Sequence, residues 1–183
     1  MCGIAGLVNF DNSYVKNIQK SLYHRGPDAQ TDYHFKNVDL IHTRLSIQDI
    51  KHGSQPFEIG QHVIIFNGEI YNHLELRKKI PNYSFNTLSD TETLLALYIQ
   101  FGISALKMCD GMFAFVIYNV SNENVFCARD RAGVKPFFYY FHEGLFLFSS
   151  ELKSFHKHPG FKKEININVV GAYMQYGNVP TPY

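Results

Sequence analysis

Strand-like patterns of apolar and polar residues recur along the whole chain. Seven segments alternate apolar and polar positions or are continuously apolar, namely 3–10, 39–47, 61–68, 111–120, 124–130, 136–142 and 144–150. Such patterns are typical of strands with one or both faces buried. Short polar turns such as SNEN and HEG separate consecutive segments in the second half of the chain. The pattern therefore predicts antiparallel hairpins.

Helical periodicity is confined to a few segments. Residues 13–26, 72–80 and 89–102 repeat apolar residues at helical spacing, and each begins with a polar residue that can cap a helix. In the last of them, Ser89 or Asp90 is the expected N-cap. Few helices beside many antiparallel strands indicate a layered α+β fold rather than a parallel sheet.

The C-terminal tail predicts one more helix, which begins at Ile167 and carries apolar residues around most of its surface. A helix of this kind needs a second partner to cover it. The closing segment VPTPY (179–183) contains two prolines and is typical of a linker.

Composition and charge narrow the class of protein. The chain has 183 residues, 45% of them hydrophobic, and a formal net charge of +1. One globular domain is expected, and no bulk charge favours nucleic acid or an anionic membrane. No signal peptide or membrane-spanning segment is predicted, and the odd count of cysteines, without zinc or disulfide spacing, favours the cytoplasm. The nine histidines also lack metal-ligand spacing, so no metal site is expected.

Cys2 stands out because it directly follows Met1. A thiol reacts as the thiolate, and its free pKa is about 8.5, so a reactive cysteine needs a base nearby. If Met1 is removed, the α-amino group of Cys2 itself, with a reference pKa of about 7.7 to 8.0, can accept the thiol proton. Gly3 and Gly6 would let substrate and neighbouring backbone approach. The plain alternative is an incidental cysteine at the start of a buried strand.

Seven motifs, in order along nearly the whole chain, carry a resemblance to a known family. They are MCGIAG, HRGPD, HTRLSIQD, FNGEIYN, SDTETLL, DGMFAF and ARDRAGVKPFFY. Together they resemble the N-terminal glutaminase domain of glutamine-hydrolysing asparagine synthetases, a class II glutamine amidotransferase of the N-terminal-nucleophile hydrolase superfamily.

The resemblance implies a four-layer αββα sandwich formed by residues 1–183. Residues 165–183 would then be a terminal helix and the start of a linker to a C-terminal synthetase domain that this chain lacks. That domain would use ATP and magnesium, whereas no cofactor is expected for the glutaminase domain itself. Glutamine is the implied substrate. A homodimer and the identity of the ammonia acceptor, aspartate or another carboxylate or a sugar, stay open.

The resemblance also implies catalytic roles. Cys2, freed of Met1, would attack the side-chain amide of glutamine and release ammonia, after which water would hydrolyse the thioester. The developing oxyanion needs donors, and the Asn67 side chain and the Gly68 backbone N–H would supply them. The plain alternative for this pair is an Asn-Gly turn that ends a strand.

Substrate recognition is implied for five further residues. Arg44 would hold the α-carboxylate of glutamine, while Asp90 and Glu69 would face its α-ammonium group. Leu45 and Ile47 would line the pocket. The plain alternatives are a surface charge for Arg44 and helix capping for Asp90.

The remaining motifs and cysteines receive structural roles. HRGPD is expected to form a turn in which Asp28 bonds local backbone. ARDRAGVKPFFY is expected to support the pocket or a domain interface, with solvated charges as the alternative. Cys109 and Cys127 are expected to be inert core thiols.

Three other functions remain as alternatives. A different N-terminal-nucleophile amide hydrolase would act on a larger substrate. A glutamine sensor would bind without turnover. A papain-like enzyme would pair Cys2 with a histidine side chain and would tolerate Met1.

Overall fold

The computed structural model describes residues 1–8 and 12–179. Two antiparallel sheets form its centre. The first contains five strands in the order β2-β3-β1-β9-β8, with β1 at Gly3–Val8, β2 at Ala29–Phe35, β3 at Val38–Arg44, β8 at Phe138–His142 and β9 at Leu145–Ser149. The second contains four in the order β4-β5-β6-β7, with β4 at Phe57–Ile59, β5 at His62–Ile70, β6 at Gly111–Asn119 and β7 at Asn124–Arg129.

Helices cover the outer faces of both sheets. Helix α1 (Val15–Ser21) and the short 3-10 helix Leu152–Lys157 lie on the first sheet, while α2 (His73–Arg77) and α3 (Asp90–Phe101) lie on the second. Further 3-10 turns occupy Asn12–Tyr14, Tyr23–Arg25 and Gly102–Lys107. Helix α4 (Ile167–Tyr176) follows at the C-terminal end. The predicted four-layer αββα sandwich is therefore confirmed.

Three apolar cores hold the layers together, because each interface removes one apolar face from water. The faces of the two sheets pack through Ile4, Leu40, Val63, Ile65, Val116 and Phe148. The second sheet packs on α3 through Ile64, Phe115, Leu94 and Leu97. The first sheet packs on α1 through Leu7, Ile41, Ile18 and Leu22.

The glycines of β1 serve packing inside the fold. A Cβ on Gly6 would lie 2.3 Å from the Phe148 ring and 2.5 Å from the Asp39 carbonyl oxygen. A Cβ on Gly3 would lie 2.6 Å from Thr43 Oγ1. Both glycines therefore let neighbouring strands and side chains approach closely, and no contact with the substrate is needed to explain them.

Two strands were not predicted. In β2 the side chains alternate between partly buried and exposed, but most of its residues are polar or aromatic, so the apolar period is weak. Strand β4 has only three residues. Both strands lie at sheet edges. An edge strand has only one neighbouring strand, and only part of one of its faces needs to be apolar.

The Asn-Gly turn proposed as an alternative for residues 67–68 is wrong. Strand β5 continues through Ile70, and Asn67 pairs with Ala114 while Gly68 pairs with Phe113. Gly68 instead permits close approach, because a Cβ there would lie 2.3 Å from the Met112 carbonyl oxygen.

The helices differ in how closely they match the prediction. Helix α3 lies within the predicted segment. It begins after Ser89, whose side chain accepts a bond from Thr91 N at 3.2 Å, and ends at Phe101, with Gly102 as its C-cap. The predicted helix over 13–26 is instead divided into an α-helix and short 3-10 turns. Of the VPTPY segment, only Val179 is described, and residues 180–183 lie outside the described residues. Among the described residues no helix is long and apolar enough to cross a membrane.

Candidate active site

A cavity of about 330 Å³ opens where β1 begins, β3 ends, β5 ends and α3 begins. Its size suits a ligand as small as an amino acid. All eight predicted site residues line it, namely Cys2, Arg44, Leu45, Ile47, Asn67, Gly68, Glu69 and Asp90. These residues come from separate parts of the chain, and the two sheets and α3 bring them together around one cavity.

Cys2 lies just before β1 and is held by the residue that follows β3. Its sulfur is 3.5 Å from the Leu45 carbonyl oxygen and 3.4 Å from the Leu45 N–H, which donates to it. Arg25 Nε donates to the Cys2 carbonyl oxygen at 3.0 Å. Burial raises the pKa of the Cys2 thiol, although the Leu45 bond, the chain's amino terminus and the Arg44 charge oppose this. With Met1 attached, the thiol is thus positioned but lacks a strong activating base.

Asn67 places an unpartnered donor in the cavity wall. The residue is only 1% exposed, and its Nδ2 has no hydrogen-bond partner among the described residues. A buried amide group without a partner is costly, so such groups in native structures call for an explanation. An oxyanion that forms beside Cys2 would supply the missing acceptor.

Arg44 is buried rather than on the surface, so its plain alternative is wrong. Its guanidinium donates to three backbone carbonyl oxygens, those of Gln48 at 3.2 Å, Asp49 at 2.8 Å and Ile50 at 3.1 Å. A Cβ on Gly53 would lie 2.8 Å from Arg44 Nη2, so this glycine makes room for the guanidinium. Arg44 therefore orders the loop beside the cavity and also presents its charge to the cavity.

Two carboxyl groups face the cavity together. Asp90, at the start of α3, accepts a bond from Ile70 N at 2.9 Å, while the Glu69 carboxylate accepts one from the Gln48 side-chain amide. Burial raises the pKa of Asp90 to about 7, and the charge of Glu69 adds to this rise although the Ile70 bond opposes it. Burial also raises the pKa of Glu69. A bound cation would offset the repulsion between the two groups.

The capping alternative for Asp90 is not needed, because Ser89 is the N-cap of α3. Of the two apolar residues predicted to line the pocket, Leu45 holds the Cys2 sulfur through its backbone, whereas Ile47 lies at the rim with 62% of its surface exposed.

Several cavity residues were not predicted as site residues, namely Gln48, Gln55, Phe66, Thr91, Met112 and Lys135. Gln55 links two walls, because its side chain accepts from Phe66 N at 2.6 Å and donates to Thr91 Oγ1 at 3.2 Å. Lys135 is only 3% exposed, so the solvated-charge alternative is wrong for this residue of the ARDRAGVKPFFY motif. Gln48 lies within HTRLSIQD, but an uncharged side chain in a loop carries no sequence signal of its own.

The HRGPD motif supports the site over a longer range than expected. The Asp28 carboxylate accepts from Ser46 N at 2.7 Å, a residue far along the chain rather than local backbone. A Cβ on Gly26 would lie 2.2 Å from the Thr43 carbonyl carbon, so glycine is required where this turn crosses β3. The motif thus secures the backbone on both sides of Arg44.

The other cysteines and the histidines do not enter the site. Burial raises the pKa of Cys109 to about 11 and that of Cys127 to about 12, as expected for inert thiols. None of the described residues that line the cavity is a histidine, so nothing supports a papain-like pair. In the described part of the chain, no group of three or more potential metal ligands is assembled.

Comparisons with known proteins agree with this geometry. A family model described as "Glutamine amidotransferase domain" matches residues 1–183. The chain is 39% identical to a predicted glutamine-hydrolysing asparagine synthetase of Methanocaldococcus jannaschii, with 100% of this chain and 41% of the relative covered. It is 38% identical to asparagine synthetase [glutamine-hydrolyzing] 1 of Bacillus subtilis, with 100% and 30% covered.

A solved structure shares the fold. The glutamine phosphoribosylpyrophosphate amidotransferase from B. subtilis, complexed with ADP and GMP, superposes with a TM-score of 0.67 at 21% identity. The superposition covers 85% of this chain and 43% of that chain. This likeness supports the N-terminal-nucleophile type of fold that the motifs predicted. The chain spans less than half the length of the relatives it matches.

Proposed function

Because the chain belongs to the glutamine amidotransferase domain family, we propose that it hydrolyses glutamine to glutamate and ammonia at Cys2. The observation that carries the proposal is the unpartnered amide of Asn67, a residue that lines the same cavity as Cys2 and the carboxyl pair of Glu69 and Asp90. A nucleophile, an oxyanion donor and a cation-binding pair in one small cavity fit an amino acid that carries a reactive amide.

In the proposed reaction, the free α-amino group of Cys2 accepts the thiol proton, and the sulfur attacks the side-chain carbonyl carbon of glutamine. Asn67 Nδ2 and the Gly68 N–H stabilise the negative oxygen of the tetrahedral intermediate. The ammonium group of Cys2 then protonates the leaving nitrogen, which departs as ammonia and leaves a thioester. Water, deprotonated by the same amine, hydrolyses the thioester to glutamate and restores the thiol.

Recognition uses the charges of the cavity. Glu69 and Asp90 bind the α-ammonium group of glutamine, which replaces the repulsion between them with attraction. Arg44 binds the α-carboxylate through donors that are free of the loop, while its other donors keep the loop of residues 48–50 in place. Leu45 and Ile47 contact the aliphatic part of the substrate. This assignment makes free glutamine, rather than a larger amide, the preferred substrate.

In the longer protein, we propose that ammonia passes to a C-terminal synthetase domain that amidates aspartate with ATP and magnesium. Support comes from the relatives, in which the matching region makes up 41% and 30% of the length. Helix α4 also leaves Ile167, Tyr173 and Met174 exposed, as expected of a surface that another domain covers. Residues 165–183 would then lead into that domain. The cytoplasm remains the proposed location.

The test exposes Cys2 by cleavage of a removable leader and measures ammonia release from glutamine before and after cleavage. Turnover should begin only after cleavage, because an amide nitrogen at Cys2 cannot accept the thiol proton. Cys2→Ser should lose about a thousandfold or more in kcat, whereas Cys127→Ser, the matched control, should stay within about twofold.

Equal rates before and after cleavage would assign the base to a side chain and contradict the role of the amine. Glutamine binding without ammonia release would favour the sensor alternative. Faster hydrolysis of larger amides than of glutamine would favour a different amide hydrolase.

A further inference from the structure

Lys135 brings a buried ammonium group to the cavity without a strong partner. The residue is 3% exposed, and within the described residues the hydrogen-bond partner of its Nζ is Met1 Sδ, at 3.1 Å. A thioether sulfur is a weak acceptor, so this contact compensates little of the cost of burying the charge. The contact is also made with the residue whose removal the proposed reaction requires.

The backbone of Lys135 is fixed from two sides. Lys135 N donates to the Asp130 carboxylate at 2.9 Å, and Val134 N donates to the same carboxylate at 2.8 Å. On the other side, Arg129 Nε donates to the Lys135 carbonyl oxygen at 2.6 Å. The loop between β7 and β8 therefore holds the ammonium at the cavity wall rather than letting the side chain turn to solvent.

The position of the ammonium relative to Cys2 follows from its contact with Met1. The Met1 side chain and carbonyl carbon alone separate Sδ from the Cys2 nitrogen, which places Lys135 Nζ within roughly 10 Å of that nitrogen. At such a distance inside a protein, a like charge disfavours protonation of an amine by about one pKa unit.

The other charges of the cavity come from three elements. Glu69 on β5 and Asp90 on α3 are acidic, and Arg44 at the end of β3 is basic. Lys135 acts on Glu69, since its charge favours the ionised carboxylate and opposes the rise in pKa that burial causes.

Beside the cavity, Arg25 Nε donates to the Cys2 carbonyl oxygen at 3.0 Å, and its Nη1 is paired with Glu151 at 3.1 Å. The two acids of the cavity favour a protonated amine at Cys2. Arg44 is bonded to loop carbonyl oxygens and Arg25 is paired with Glu151. The Lys135 ammonium, by contrast, has no strong partner among the described residues, so it is the cation best able to offset the acids.

We propose that Lys135 is a positioning residue whose ammonium keeps the α-amino group of Cys2 in its neutral, proton-accepting form once Met1 is gone. This inference rests on the proposed function, because it concerns the base that activates Cys2. Met1 contacts the ammonium before processing, and its removal takes away this contact at the same time as it creates the new amine.

The experiment follows acetylation of the N-terminal α-amino group by acetic anhydride as a function of pH in the mature Cys2→Ser protein, read by peptide mass. Only the neutral amine is acetylated, and no thiol competes at this position. This neutral reagent does not need the glutamine site, so the measurement is independent of turnover. Lys135→Met should raise the pH midpoint of labelling by about 0.5 to 1 unit. Lys135→Arg keeps the charge and should stay within about 0.2 unit. In the protein that retains Cys2, the acid limb of kcat/KM for glutamine should shift in parallel.

Circular dichroism and thermal melting check that each variant is folded, and Lys135→Gln is the second neutral variant if Lys135→Met is not. An unchanged midpoint in a folded neutral variant would overturn the proposal. So would a rise in KM without any pH shift, since this would make Lys135 a ligand for the substrate carboxylate. Absence of ammonia release in the wild-type protein would instead contradict the proposed function, while the labelling midpoints still decide the role of Lys135.

Discussion

Two buried polar regions meet at the first turn of α3, and they differ in how completely their carboxyl groups are bonded. On one side, Glu92 accepts from Tyr83 Oη at 3.0 Å, Asn86 N at 2.9 Å, and both Thr87 N and Thr87 Oγ1 at 2.7 Å. Burial alone would raise the pKa of Glu92, but these bonds hold it below its usual value. Glu92 is therefore a saturated acceptor.

On the other side, Asp90 accepts only backbone N–H bonds within the described residues and lies on the cavity beside a second carboxyl group, that of Glu69. The backbone N–H of Ile70 lies 2.9 Å from its carboxylate, and burial together with the Glu69 charge raises its pKa to about 7. The Asn67 amide in the same wall has no partner for its Nδ2. This region retains the capacity to bind a charged ligand.

The comparison teaches that burial does not separate structural from functional polar groups. Asp90 and Glu92 are both nearly inaccessible to solvent and lie two positions apart on one helix. What differs is whether the hydrogen bonds outweigh the cost of burying the charge. They do so at Glu92, whose pKa is lowered, whereas at Asp90 burial and the Glu69 charge prevail, so the ionised group gains from a bound cation. Substitutions on the two sides should therefore affect different quantities.

The largest effect is expected for Asn67→Ala. If Asn67 donates only to the oxyanion, its loss should lower kcat by about a hundredfold or more and leave KM within a few-fold, because the charge exists only in the transition state. Steady-state glutaminase kinetics measure both constants.

Asn72→Ala is the matched control, since it lies in the same FNGEIYN motif. Its side chain is saturated, with Nδ2 2.9 Å from the Met108 carbonyl oxygen and Oδ1 3.0 Å from Asp110 N. We expect it to lose about 1 to 2 kcal/mol of stability and to keep kcat. A near-normal kcat in Asn67→Ala would show that other groups hold the oxyanion.

The next largest effect is expected for Glu92→Gln. The new NH2 group would point a donor at the N–H group of either Asn86 or Thr87, which donate to different oxygens of Glu92, so the free energy of unfolding should fall by about 2 to 3 kcal/mol. The kcat/KM of the folded protein should stay within about twofold. Urea unfolding and kinetics give the two values.

Glu75→Gln on the exposed face of α2 is the control and should change stability by less than about 0.5 kcal/mol. A large loss of kcat/KM in Glu92→Gln at unchanged stability would place Glu92 in the site and contradict the comparison.

The smallest effect is expected from pH. As pH falls through about 7, Asp90 takes up a proton and loses its attraction for the α-ammonium group, so the KM for glutamine should rise about fivefold between pH 8 and pH 6. The raised pKa of Asp90 affects stability in the opposite direction to substrate binding. In the empty protein, the contribution of Asp90 is present below pH 4 and is lost as pH rises toward 7.

Asp90→Asn should therefore melt at a higher temperature than the wild-type protein at pH 8 but not at pH 4. Thermal melting at both pH values measures the effect on stability, and KM between pH 6 and pH 8 measures the effect on substrate binding. A wild-type KM independent of pH would indicate that Asp90 stays ionised throughout.

The sequence by itself determined most strands, helix α3 and several of the residues that line the cavity. Burial of one face imposes a local period, so the seven predicted strands and α3 could be read from residue spacing. The pattern missed only edge strands with few apolar residues, such as β2. Cys2 and the motif order were also sufficient to name Arg44, Asn67 and Asp90.

Only the tertiary structure decided which polar groups are satisfied. Arg44, Asn67 and Asp90 lie far apart in the chain, and their partners depend on strand register and on loops that no local period describes. The same is true of Lys135, whose charge favours the surface by composition but is buried because Asp130 and Arg129 hold its backbone at the cavity. A periodic pattern reports which side of an element is apolar, whereas hydrogen-bond satisfaction is set by atoms that only folding brings together.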